Sequence, residues 1–219
     1  MNTVRTNINF SRVKTPKTEG QQKYVDALRN SKCVTVVTGP AGTGKTLFAC
    51  QEAVNCYSSS NIEKIIITRP TVSVDEDLGY LPGGIDEKMS PWLEPIYGIL
   101  SNYFSLYEIE RMKDRNILEI MPLGYTRGRT FENSFVIADE FQNATRNQTK
   151  TLLTRIGTDT KMVLMGDMDQ IDIDSNESGL VDLVYRIDDK LEHIDYVSMD
   201  DEDVQRHPAV KEVLELYSL

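Results

Sequence analysis

Residues 39–46 read Gly-Pro-Ala-Gly-Thr-Gly-Lys-Thr, and this stretch decides the fold. It fits the phosphate-binding pattern G-x-x-x-x-G-K-[ST]. The β-branched apolar run 33–38 (CVTVVT) precedes it and predicts a buried parallel strand, while residues 45–57 predict a helix. A short pattern can match by chance, but the strand–loop–helix context is the one that phosphate binding requires. The sequence therefore predicts a P-loop that binds a nucleoside triphosphate with Mg²⁺.

Each part of this loop has an expected task. The glycines let backbone N–H groups turn toward phosphate oxygens, and Lys45 reaches the β- and γ-phosphates. The Thr46 hydroxyl is a predicted Mg²⁺ ligand. The predicted nucleotide-binding residues of the loop are Gly39, Pro40, Ala41, Gly42, Thr43, Gly44, Lys45 and Thr46.

Acidic residues follow two further apolar strands. Asp139-Glu140 ends the run 134–138, which favours Asp139 as a Mg²⁺ partner and Glu140 as the base for an attacking water. The alternative is that the pair caps a helix. Asp167 and Gln170 follow the strand 161–165, and Gln170 is predicted to contact the γ-phosphate or the lytic water. An ordinary turn would also explain these two residues.

Strands and helices alternate along the chain, which predicts an α/β fold with a mainly parallel sheet. Residues 1–18 look like an N-terminal arm and 19–219 like one domain. Further strands are predicted at 64–68, 117–121 and 193–199, a long loop at 69–90, and helices at 20–30, from Pro91 to about 103, and at 105–113, 145–155, 178–187 and 207–217.

Composition limits the location and the partners. The formal net charge is −10 and the pI about 4.8, so nucleic acid would have to bind at a local basic patch. Cys33, Cys50 and Cys56 lack metal-site spacing. No signal peptide or membrane-spanning run is visible, so we expect a reduced, cytoplasmic protein without a membrane partner.

Several further segments carry a resemblance to a known family. They are ITRP (67–70), LGYLPG (78–83), RGRTF (127–131), VIADEFQN (136–143), LLTRIG (152–157), GDMDQID (166–172), SGL (178–180) and DVQRHPAV (203–210). With the P-loop, they resemble the PhoH-like P-loop ATPases in order and over about 15–219. That family is similar to the first ATPase domain of superfamily 1 helicases. The resemblance implies a RecA-like three-layer sandwich, with strand 161–166 between strands 33–38 and 134–138.

The resemblance also implies roles for residues outside the P-loop. Gln21 looks like an adenine-reading glutamine, which favours ATP, and an exposed helix position is the alternative. Arg206 looks like an arginine finger, with surface helix capping or pairing with residues 201–203 as the alternative. A single-stranded RNA or DNA would contact Arg69 beside Thr68, and the basic pair Arg127 and Arg129. These arginines could instead form a solvated face or pair between subunits.

Two positions depart from the family pattern, Phe141 in place of Ala and Glu76-Asp77 in place of Gly-Glu. Neither departure removes a catalytic group. A helicase motor uses two ATPase domains, and this sequence predicts one, without an appended nuclease or RNA-binding domain. A homo-oligomer, such as a six-membered ring with Arg206 acting on a neighbour, would supply the missing part. The expected function is ATP hydrolysis coupled to nucleic-acid remodelling; a nucleotide-gated assembly ATPase and a small-molecule phosphotransferase are the alternatives.

Overall fold

Six apolar runs form the strands of one parallel sheet. The computed structural model describes residues 8–70, 94–188 and 190–207, together with 209, 210, 212 and 216. The strands are β1 (Val34–Thr38), β2 (Lys64–Arg69), β3 (Leu118–Pro122), β4 (Ser134–Ala138), β5 (Lys161–Gly166) and β6 (Ile194–Ser198). All six predicted strands are confirmed. The four central strands β1, β2, β4 and β5 are almost fully buried, whereas the outer strands β3 and β6 are buried only in part.

The strand order is β3-β2-β4-β5-β1-β6, and every pair is parallel. The strand before the predicted sensor, β5, therefore lies between β1 and β4, as predicted. In a parallel sheet the carboxyl ends of all strands meet at one edge. The P-loop after β1, Asp139 after β4 and Asp167 after β5 are brought together at that edge.

Helices cover both faces of the sheet and make the predicted three layers. One face carries α1 (Glu19–Arg29), α2 (Lys45–Ser58), α3 (residues 94–100) and α4 (Leu106–Asp114). The other face carries α5 (Arg146–Leu153) and α6 (Gly179–Arg186). Residues 209, 210, 212 and 216 are helical too. No described helix has the length and apolar character that crossing a bilayer demands.

Side-chain caps set where several helices begin. Thr18 accepts a hydrogen bond from the Gln21 amide at the start of α1, and Ser105 and Thr145 form reciprocal capping boxes at α4 and α5. Short 3-10 turns at Leu123–Thr126, Phe141–Asn143 and Asp201–Asp203 were not predicted.

The segment before α1 is attached to the domain. Gln51 of α2 accepts a hydrogen bond from the Lys14 amide (2.8 Å) and donates one to the Lys14 carbonyl (2.9 Å). The division into an arm at 1–18 and one domain at 19–219 stays a prediction. The predicted loop at 69–90 with its LGYLPG segment, and the predicted helix start at Pro91, lie almost wholly outside the described residues.

Candidate active site

The P-loop has the backbone conformation that a phosphate cradle needs. Gly42 and Gly44 have φ values of +92° and +91°, which L side chains rarely adopt. The helix α2 begins at Lys45, directly after Gly44, so its free N–H groups point into the same space. Thr43 is buried, and its hydroxyl donates to the Pro40 carbonyl (3.0 Å), which fixes the turn.

Lys45 lies over the loop that precedes it. Its ammonium donates to the carbonyls of Gly39 (2.6 Å) and Pro40 (2.9 Å). Burial lowers the pKa of Lys45, whereas Asp167, Asp139 and Glu140 raise it. These carboxylates offset part of the cost of burying the Lys45 charge. An anionic ligand beside Lys45 would offset more of it.

The oxygens of Thr46 and Asp139 face each other. The Thr46 hydroxyl lies 3.4 Å from both carboxylate oxygens of Asp139, at the outer limit of a hydrogen bond. Burial and the neighbouring Glu140 raise the pKa of Asp139 to about 6, against the opposing effect of Arg69 and Lys45. The pair of hard oxygens fits Mg²⁺, which prefers few protein ligands beside phosphate oxygens. Thr46 and Asp139 would hold the ion.

Glu140 is held in a conformation that is unusual for its residue type. Its φ and ψ are 50° and 39°, in the left-handed region, which costs about 1 kcal/mol for a non-glycine residue. The 3-10 turn Phe141–Asn143 follows, so Glu140 does not cap an α-helix as the alternative interpretation held. Strain of this kind is typical of functional sites.

Gln142 joins the end of β4 to the end of β5. Its Nε2 donates to Glu140 Oε2 (2.7 Å) and to the Gln170 carbonyl (3.1 Å), and its Oε1 accepts from the Asp167 amide (3.2 Å). Gln142 lies within VIADEFQN (136–143), where the sequence pattern alone assigns it no role. Its position two residues after Glu140 is the signal that could have found it.

A cleft of about 250 Å³ opens where these elements meet. Most of the predicted loop residues, both acidic positions and Gln170 contribute to it. Its lining is Ala41, Gly42, Gly44, Lys45, Thr46, Leu47, Asp139, Glu140, Gly166, Asp167 and Gln170. Within the predicted sensor, Gln170 is exposed and donates to Asp167 (2.6 Å), so its amide faces the cleft only in part.

Gln21 lies beside the loop but outside the lining. It is 3% exposed, so the alternative of an exposed helix position is wrong. Its Nε2 donates to the Thr43 carbonyl (3.1 Å) and its Oε1 accepts from the Lys17 amide (2.8 Å). Adenine reading by Gln21 stays a prediction, and it would require one of these bonds to be exchanged for the base.

Arg206 lies against the P-loop of its own chain. A Cβ atom at Gly42 would be 2.6 Å from Arg206 Nε, and the Gln205 amide donates to the Gly42 carbonyl (3.0 Å). Among the described residues no ion pair joins Arg206 to Asp201–Asp203, which leaves that alternative without support. The finger role stays a prediction, with contacts that favour action within one chain.

The basic residues assigned to nucleic acid differ in their surroundings. Arg127 is exposed, and Arg69 ends β2 near Asp139, whose pKa it lowers. Arg129 is paired with Glu119 (2.6 Å) and lies 5.4 Å from the centre of the Phe131 ring. Arg129 is therefore not fully solvated, while pairing between subunits stays an alternative for it. The hydroxyl of Thr68 is buried and has no hydrogen-bond partner among the described residues.

Comparisons with known proteins agree with the family resemblance. The model of the family described as PhoH-like protein matches residues 13–218. A PhoH-like protein of Bacillus subtilis is 41% identical over 201 residues, covering 92% of this chain and 63% of that protein. Protein PhoH of Escherichia coli K12 is 37% identical over 205 residues, covering 92% and 57%. The chain thus spans about three fifths of the length of these relatives.

A solved structure titled as a Sulfolobus solfataricus SWI2/SNF2 ATPase core in complex with dsDNA superposes on 92% of the chain and 48% of its own length. Its TM-score is 0.49 at 12% sequence identity. The family match spans the P-loop, both acidic strand ends and the segment that carries Arg206. On that match, and on relatives at about 40% identity, this chain belongs to the PhoH-like protein family.

Proposed function

We propose that this chain is a Mg²⁺-dependent ATPase. The observation that carries the proposal is the cleft itself. Lys45 and Thr46 after β1, Asp139 and Glu140 after β4, and Gln170 after β5 come from three separate strand ends and line one space. Convergence of a P-loop, an acidic pair and a polar sensor is what phosphoryl transfer to water requires.

Separate residues of this chain bind the phosphates and accept the proton. The loop amides and Lys45 bind the β- and γ-phosphates, and Mg²⁺, when bound, neutralises charge on the phosphate oxygens. Glu140 Oε1 makes no hydrogen bond among the described residues and accepts the proton of the attacking water. The new bond joins the water oxygen to the γ-phosphorus, the bond to the bridging oxygen breaks, and ADP and phosphate leave. Gln142 fixes the other oxygen of Glu140 during this step.

Lys45→Ala and Glu140→Gln test the ATPase proposal. Glu140→Gln should bind ATP while hydrolysis falls by roughly two to four orders of magnitude, because only the base is lost. Lys45→Ala should lose both affinity and turnover. The measurement is phosphate release together with binding of a fluorescent ATP analogue. Full turnover in Glu140→Gln would reject the base assignment.

We further propose that hydrolysis is coupled to a single-stranded RNA or DNA. Arg127 is exposed, and Arg69 is half-buried at the end of β2, close enough to Asp139 to lower its pKa; both support a polyanion contact on this side of the sheet. The test is whether a single strand stimulates ATP hydrolysis. Stimulation would support this coupling over a nucleotide-gated assembly role. The phosphotransferase alternative requires a mobile lid over the acceptor. The predicted loop at 69–90 would supply that lid, and nearly all of it lies outside the described residues.

A further inference from the structure

A short segment after β6 contacts the P-loop at Gly42. We call residues 200–206 the strap. It contains the 3-10 turn Asp201–Asp203, and its far end contacts Gly42 through the Gln205 amide and the Arg206 side chain. Arg206 is close enough to lower the pKa of Lys45, although burial of Lys45 is the larger cause. The strap therefore brings a second cation to the phosphate loop within one chain.

The near end of the strap is fastened to the start of α1. Asp203 is 5% exposed, and its carboxylate accepts hydrogen bonds from the Thr18 hydroxyl and from the Asp200 amide (3.1 Å). Among the described residues Asp203 forms no ion pair. A buried carboxylate without an ion-pair partner is costly, so the hydrogen bonds from Thr18 and Asp200 are what hold it in this place.

Gln21 extends this attachment to the P-loop. Its amide nitrogen donates both to the Asp203 carbonyl (3.3 Å) and to the Thr43 carbonyl (3.1 Å). One buried junction thus holds the start of α1, the strap and the phosphate loop. The junction lies three residues before Arg206, so a shift of Asp203 is passed directly to the arginine.

We propose that Asp203 is a positioning residue, whose carboxylate latches the strap onto α1 and so holds Arg206 on Gly42. The inference rests on the proposed ATPase activity, because the position of Arg206 matters only if Arg206 faces a reacting phosphate. A long arginine side chain loses most of its effect on transition-state charge when it is displaced by about 1 Å. Asp203 acts through Arg206 and does not itself contact the nucleotide.

Gly20→Ala tests the latch without substituting any residue of the P-loop or the strap. A Cβ atom at Gly20 would lie 2.5 Å from both Cγ and Oδ1 of Asp203, so the carboxylate must leave its place. The same change favours the helix α1, since alanine is the better helix former. Gly98→Ala is the matched control, because Gly98 is also helical and a Cβ there meets nothing within 4 Å.

Two measurements are made on each variant. Hydrogen–deuterium exchange reports whether the Gln205 amide and its neighbours in the strap are released, and it needs no ATP hydrolysis. Steady-state kinetics report kcat and KM for ATP. For Gly20→Ala we expect faster exchange in the strap, unchanged exchange in β1 and β5, and a kcat lower by roughly 10- to 100-fold with KM changed less than about threefold. Gly98→Ala should match the wild type in both.

The outcomes separate the latch from the ATPase proposal. Unchanged strap exchange in Gly20→Ala, or released exchange with wild-type kcat, would overturn the positioning role. If the wild type itself hydrolyses no ATP, the ATPase proposal fails. Hydrogen–deuterium exchange in the strap still tests whether Asp203 holds it in place. Asp203→Asn, which keeps the size of the side chain but leaves only one acceptor oxygen for the two donors Thr18 and Asp200, repeats the test should Gly20→Ala lower Tm. The double variant Gly20→Ala/Asp203→Ala should be no worse than either single change, since both remove the same contact.

Discussion

Asp139 brings a carboxylate into a cleft that already holds Glu140. Burial first, and then the charge of Glu140, raise the pKa of Asp139 from 3.8 to about 6. The folded protein therefore binds a proton more readily than the unfolded chain between those values. As the pH rises through this window, the free energy of unfolding falls, and the loss is complete above pH 6 or so.

Asp139→Asn should consequently stabilise the protein in the absence of nucleotide and Mg²⁺. We expect the free energy of unfolding to rise by about 3 kcal/mol at pH 8 and by about half of that near pH 5. Urea unfolding at both pH values measures the effect. Asp114→Asn, at an exposed position at the end of α4, is the control and should change little. An equal gain from Asp139→Asn at both pH values would contradict the prediction.

Single residues were predictable from the sequence where a local motif defines their role. Lys45 and Thr46 follow from the P-loop pattern, and Asp139 follows from its place at the end of an apolar run. Gln142 and Asp203 could not be assigned roles in this way. The partners of the Gln142 side chain lie up to 28 residues away, and the Thr18 hydroxyl that binds Asp203 lies 185 residues away. Only the folded sheet brings those groups together.

At the scale of elements, the six strands were found within about a residue of their predicted bounds. Runs such as VTVVT and KIIIT have no polar face, and a buried parallel strand is the element that suits them. The 3-10 turns at Phe141–Asn143 and Asp201–Asp203 were missed. A single turn has no periodicity to detect, and its position is set by side-chain hydrogen bonds that appear only after folding.

Arg69 ends β2, and Arg127 and Arg129 follow β3. Their surroundings differ, so we expect their substitutions to have different effects on nucleic-acid binding and on stability. Arg69→Ala with Arg127→Ala should weaken binding of a single strand and lower the slope of log affinity against log salt by about 1 to 1.5. Arg129→Ala is the matched variant and should mainly lower Tm, because Arg129 is paired with Glu119. Fluorescence anisotropy with a labelled single strand across a salt series measures both. Wild-type binding by the double variant would show that the surface is wrongly assigned.

For the whole molecule, the position of Arg206 bears on whether subunits share active sites. The resemblance to ring-forming ATPases favoured action on a neighbour, whereas Arg206 contacts Gly42 of its own chain. Mixing Lys45→Ala with Arg206→Ala should therefore restore no ATPase activity, because every subunit keeps one damaged part. Native mass spectrometry establishes that subunits have exchanged. Recovery of activity in such mixed oligomers would reject action within one chain.

The strap also sets the order in which the site matures during protein synthesis. The P-loop and α2 emerge early, but β6, the strap and the junction with Thr18 need residues 194–206. Until those residues leave the ribosome, β1 lacks one neighbour in the sheet and Gly42 lacks its contact with Arg206. A nascent chain that ends before residue 194 should bind ATP weakly and leave the P-loop open to proteolysis. We therefore expect the P-loop to reach its final conformation only after translation has passed the strap.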